Sequence, residues 1–122
     1  MKLLKNSLGY LFIIATLYSC NYNEAKFIIT NNSGFNIDSL RITPDSKKEY
    51  ISLKKGEEVV HYIEMDDLNS DGSYLICFRN LDTKATTKQQ FGYYNKGSQI
   101  EKNIMITIQK DTILTKSNFN KF

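Results

Sequence analysis

The 122 residues contain no tryptophan, one proline, one histidine and two cysteines. Each shortage excludes something. With His61 alone, no second imidazole can complete a serine or cysteine triad, and no G-x-S-x-G elbow marks a nucleophile. His61 shares a strand face with Val59 and Ile63, and no cysteine or carboxylate stands at ligand spacing. It therefore reads as a half-buried strand residue, not a metal ligand. Walker and dinucleotide glycine patterns are missing too. The longest early apolar segment, Leu8 to Leu17, is ten residues, half of what a bilayer-spanning helix needs. No segment holds a helical period.

What the chain has instead is short alternating runs between turn residues. Lys26–Thr30 is compact, apolar and β-branched, and Asn31-Asn32-Ser33-Gly34 closes it. Phe35–Thr43 changes parity between Ile37 and Leu40, which predicts a bulge or bend near Asp38-Ser39. Pro44 ends that strand because it cannot donate to a ladder. Tyr50–Leu53 and Glu58–Met65 follow, separated by Lys54-Lys55-Gly56-Glu57. Ser73–Arg79 is apolar on both faces and is expected at the centre of a sheet, covered on both sides, with Cys77 packed as a small hydrophobe. Thr86–Tyr94 puts Phe91 and Tyr93 on one face, and Asn95-Lys96-Gly97 predicts a three-residue hairpin loop. Ile100, Ile104, Ile106 and Ile108 share one parity, and Thr112–Thr115 is the last strand. About eight strands with a turn every eight to twelve residues predict an all-β chain, a single antiparallel β-sandwich.

The amino end carries Lys2 and Lys5, the apolar segment, and then Leu17-Tyr18-Ser19-Cys20. This resembles the lipobox signal peptide of small bacterial lipoproteins. The resemblance implies cleavage before Cys20, acyl chains on that cysteine, and residence in the cell envelope. Asn21 is not the aspartate that retains many such proteins in the inner membrane, so the outer membrane is the expected destination. The implied organisation is a signal peptide over 1–19, a lipidated cysteine and tether over 20–25, a sandwich over 26–116 and a tail over 117–122. Loss of residues 1–19 leaves 103 residues with 14 basic and 13 acidic side chains. That is one domain with one core, without the basic excess of a nucleic-acid binder. With Cys20 acylated, Cys77 has no intramolecular disulfide partner.

Asp71-Gly72-Ser73-Tyr74-Leu75-Ile76 resembles the run that enters a central strand in bacterial immunoglobulin-like domains. A transthyretin-like sandwich fits the strand count equally. Asp67, Asn69 and Asp71, followed by Gly72, match the first half of a calcium loop. Phe78 stands where the bidentate glutamate belongs, so the stretch reads as a polar turn and no metal or other cofactor is expected. Glu57-Glu58 and Glu64/Asp66/Asp67 read as solvated turn residues. Phe91, Tyr93, Tyr94 and Lys96 form the candidate partner-binding stretch, because tyrosine joins an apolar ring to a hydrogen-bonding tip. The expectation is a non-enzymatic binding or structural module, held to the membrane through Cys20 and meeting an envelope protein or glycan. Loop tips at the far end would meet that partner, with Asp66–Gly72 and Tyr93–Gly97 as candidates, and whether these two share an end is left open by the sequence. The alternative is an inhibitor or immunity protein that blocks a toxin or envelope hydrolase.

Overall fold

A computed structural model describes residues 23–66 and 69–119. The expected signal peptide, Cys20 and Asp67 lie outside them. The described residues form nine strands and no helix: β1 Glu24–Asn32, β2 Ile37–Thr43, β3 Ile51–Leu53, β4 Glu58–Glu64, β5 Gly72–Asn80, β6 Thr86–Asn95, β7 Ser98–Gln99, β8 Asn103–Gln109 and β9 Ile113–Asn118. They make a four-stranded sheet, β4-β1-β8-β9, and a five-stranded sheet, β3-β2-β5-β6-β7. All pairs are antiparallel except β1 with β8, which is parallel.

Strict alternation builds the interior. On β1, Ala25, Phe27, Ile29 and Asn31 point inward and are fully buried. Ile104, Ile106 and Ile108 do the same on β8, as do Leu40 and Ile42 on β2 and Tyr74, Ile76 and Phe78 on β5. The two inner faces interdigitate into one core, as in a sandwich. Phe27 meets the Tyr74 and Phe91 rings edge-on at 5.1 and 5.8 Å, and Tyr94 leans on Tyr74 at 5.3 Å.

The expected bulge in β2 is present: the register shifts between Ile37 and Leu40, and Ser39 has φ 52°. Other boundaries differ from expectation. The sandwich begins at Glu24, not Lys26, because Ala25 pairs with Ile63 and is sealed in the core. The last strand runs to Asn118, which donates to Asn103 Oδ1 at 2.7 Å, so the expected tail starts too early. Phe35 lies in the β1–β2 connection, not in a strand, and Ile100 is exposed ahead of β8. The β6–β7 turn has two central residues, not three. Asn95 pairs with Ser98, and Lys96 and Gly97 both take positive φ, 50° and 70°, the geometry that matches strand twist.

β5 is central in its sheet, as expected, but one of its faces is open. Leu75, Cys77 and Arg79 are half-buried on the outer surface, with no layer over them among the described residues.

Candidate functional site

The residues proposed from sequence separate cleanly. Phe91 and Tyr94 are 7% and 8% exposed and belong to the core, which corrects their assignment as contact residues. Tyr93 is 50% exposed. The cause is a bulge: Gly92 has φ +62° and the register shifts between Gly72 and Tyr74. The extra residue flips the parity, so both Phe91 and Tyr94 turn inward and Tyr93 turns out. Tyr93 lies beside the Asp71 carboxylate, whose charge pushes its phenol pKa up. Lys96 is exposed on the turn.

Asp71 has a structural task. Its Oδ1 accepts the Lys96 N–H at 2.8 Å, and the Ser70 carbonyl accepts the Gly97 N–H at 3.1 Å. The loop after β4 and the β6–β7 turn are thereby clamped together, at one end of the sandwich. Asn23 is at that same end. Its N–H donates to Asp66 Oδ1 at 3.1 Å, and its carbonyl accepts the Met65 N–H at 2.8 Å. The two loops are therefore at the end where the chain comes in, not at the far end. The register dictates this: Glu24 of β1 pairs with Glu64 at the close of β4. Among the described residues no three metal-ligating side chains converge. Asn69 and Asp71 belong to that loop, and Asp67 lies outside the described residues.

The far end carries an open cleft of about 290 Å³ between the sheets. Phe35 and Phe78 give it apolar walls, and Asn80, Gln89 and Gln109 give it amides. Gln89 Nε2 donates to the Ile113 carbonyl at 3.4 Å. Asn80 is committed to its own turn, where its Oδ1 accepts the Asp82 N–H at 2.8 Å.

A larger groove, about 400 Å³, crosses the outer face of the five-stranded sheet. Alternation places its lining. Arg41 of β2 stands opposite Cys77 of β5, and Cys77 stands opposite Lys88 of β6. Neighbouring strands are about 4.8 Å apart, so the Arg41 and Lys88 backbones flank the half-buried thiol roughly 10 Å from each other. Arg41 Nη1 donates to the Tyr50 hydroxyl at 3.0 Å, and its guanidinium lies 5.6 Å from that ring's centre. The third cation, Arg79, grips Asp38 with two hydrogen bonds, Nε to Oδ1 at 3.0 Å and Nη2 to Oδ2 at 2.7 Å. That bidentate contact holds the Asp38 carboxyl below its ordinary pKa. The ion pairs among the described residues are Arg79–Asp38 and Lys47–Glu64. Arg41 and Lys88 therefore face the groove without a carboxylate partner among them. Sequence reading passed over both, since an outward cation on a strand is ordinary. The available signal was that Arg41, Arg79 and Lys88 all sit at outward parity with Asp38 as the sole acid there.

His61 is buried, and its Nε2 has no hydrogen-bond partner among the described residues. Burial lowers its pKa, opposed by the charges of Asp45 and Glu49. The folded state holds the ring neutral, whereas the unfolded chain binds a proton below the ordinary value of 6.5. Stability is therefore full above that value and falls as pH drops toward the lowered folded value. Urea midpoints measured from pH 7.5 down to about 5 will fall in the wild type. The fall will be shallower in His61→Leu, which has no imidazole to charge.

Compared with protein families, curated proteins and solved structures, the chain matches none.

Proposed function

We propose that this protein is a lipid-anchored, non-enzymatic binding module of the bacterial cell envelope, and that its outer-face groove takes an acidic glycan. The observation that carries the reading is the pair of cations, Arg41 and Lys88, on an open sheet face, neither of them in an ion pair among the described residues. A solvated groove of this shape gains from an anion by charge attraction, and Arg41 adds a planar fork suited to a carboxylate or phosphate. Tyr50, 59% exposed, offers a ring against which a sugar can rest. The edge strands β3 and β7 are three and two residues long, too short to favour an added peptide strand.

The anchor fits the same picture. Cys20 precedes Asn23 by three residues, a reach of at most about 11 Å. A lipidated Cys20 would hold the Asn23 end against the membrane, keep the groove upright along the side and point the far cleft away. Of the two sandwich topologies, the strand order supports the transthyretin-like one. β1 and β2 lie in opposite sheets, whereas the first two immunoglobulin strands share one.

The test uses the full chain in membranes. Cys20→Ser should move the protein from the membrane fraction to the soluble one. Polygalacturonate, as a probe acidic glycan, should bind the protein in reconstituted vesicles, and neutral dextran should not. Arg41→Ala and Lys88→Ala should each weaken that binding by about tenfold, given roughly 1.5 kcal/mol for a charged contact, and added salt should weaken it further. Binding that is absent, or unchanged in both variants, overturns the groove. An unmodified Cys20 thiol overturns the anchor.

A further inference from the structure

The outer face of the four-stranded sheet carries one apolar row, flanked by the charged side chains of Lys26, Glu58 and Lys116. Ile28 on β1 pairs sideways with Val60 on β4 and with Met105 on β8, and Met105 pairs with Lys116 on β9. One row thus crosses all four strands as Val60, Ile28, Met105 and Lys116. The next row holds Glu58, Thr30, Thr107 and Leu114. Val60, Tyr62 and Leu114 are each about half exposed. The central pair, β1 with β8, is parallel. Among the described residues only the inner face of this pair is covered.

The charges at the two edges select the occupant. Glu58 on β4 bonds only to the Thr30 hydroxyl, at 2.9 Å, and has no ion pair among the described residues. Lys116 on β9, at the opposite edge, has none either. A second copy related by a two-fold axis parallel to the strands would lay β4 of each chain over β9 of the other. Ile28 then meets the second copy's Met105. Val60 then faces the second copy's Lys116, and Glu58 lies one row further, about 7 Å along the strand and about 10 Å across the gap between the sheets, so the two side chains meet when both extend. A two-fold axis across the strands would instead lay β4 over β4 and β9 over β9, so Glu58 and Lys116 would not meet. We infer that this face is a self-association surface, joining two copies through Ile28 and Met105 with a Glu58–Lys116 pair at each edge.

The strand-parallel axis has a second consequence. It keeps both Asn23 ends on the same side of the dimer, as two anchors in one membrane require, and turns the two grooves outward in opposite directions. This point rests on the anchor reading; the charge pairing does not. The sheet face measures roughly 450 Å² per copy, below the roughly 800 Å² per partner of a stable complex. Association is therefore weak in dilute solution and becomes effective where tethering raises the local concentration.

A photo-cross-linking residue at Met105 of the full chain, activated in intact cells, should give a product of twice the chain mass. Glu58→Lys and Lys116→Glu should each lower its yield by about tenfold, and the double charge swap should restore it. A cross-link to a different protein, no cross-link, or a double variant no better than the single ones overturns the inference. Repeating the experiment in Cys20→Ser separates the two readings. A cross-link lost there and kept in the wild type ties association to the membrane. A cross-link kept in both leaves the dimer standing without the anchor.

Discussion

Asn31→Asp should be the most damaging single-atom exchange in this protein, costing about 3–4 kcal/mol. Asn31 is fully buried near the end of β1. Its Nδ2 lies within hydrogen-bond distance of three carbonyls, Phe35 at 2.8 Å and Leu53 and Lys54 at 3.2 Å. Its Oδ1 accepts from the N–H and hydroxyl of Ser33. Its backbone adds two further bonds, donating to the Glu57 carbonyl at 2.9 Å and accepting the Gly56 N–H at 2.7 Å. One residue of the four-stranded sheet thereby holds the β1–β2 connection, the end of β3 and the β3–β4 turn. Aspartate has the same shape and keeps the acceptor, but presents an oxygen to three oxygens and buries a charge. Asn31→Ala only removes the donor and opens space for water, so it should cost less, about 2–3 kcal/mol. The order Asp worse than Ala is the diagnostic result, read from urea unfolding midpoints at pH 7. The Asp variant should also regain ground on acidification relative to the Ala variant, because a protonated carboxyl can donate one bond. Equal costs for the two would mean that Nδ2 does not hold those carbonyls.

Asn31 shows where reading the sequence runs out. In the run Asn31-Asn32-Ser33-Gly34 it looks like any turn residue, and local chemistry does favour Asn and Gly there. What gives it weight is alternation on β1, which turns it inward, together with carbonyls delivered from Leu53 and Lys54, more than twenty positions away. No local pattern encodes that meeting. The strands themselves were legible, since Ile104, Ile106 and Ile108 announce a buried face by period and Phe27-Ile28-Ile29 a strand by its compact β-branched run. So was the β2 bulge, because Leu40 and Ile42 sit out of phase with Ile37. Pairing partners were not, and with them went the location of the loops. Nothing near Asp71 states that Asn23 lies at the same end. The groove was invisible for the same reason. Arg41, Cys77 and Lys88 become neighbours only once β2, β5 and β6 are aligned in register.

Gly92 is the other position at which one small change should matter greatly. The run Phe91-Gly92-Tyr93-Tyr94 predicts Phe91 and Tyr93 on one face, yet Tyr94 is the second core aromatic. The switch depends on one left-handed residue, φ +62°, which inserts an extra position opposite β5. An L side chain in that region costs about 1–2 kcal/mol. Here a Cβ would also stand 3.1 Å from the Tyr74 ring and 3.2 Å from Ile104 Cδ1. Tyr74 is fully buried and stacked with Phe91 at 5.5 Å, so neither neighbour can yield without disturbing the cluster. Gly92→Ala should therefore cost about 2–4 kcal/mol in all. Gly34→Ala supplies the control: φ is +88°, but nothing lies within 4 Å of its Cβ, so only the backbone cost of about 1–2 kcal/mol applies. In thermal melts, with about 4–8 °C lost per kcal/mol for a domain near 100 residues, the two variants should separate clearly. If the bulge slips to relieve the strain, Tyr94 leaves the core and Tyr93 enters it. Tyrosine fluorescence quenching would register that exchange as a newly accessible ring at 94, assigned by comparing Tyr93→Phe and Tyr94→Phe in the Gly92→Ala background. Equal melting losses at Gly34 and Gly92 would show that the Tyr74 ring does not confine position 92.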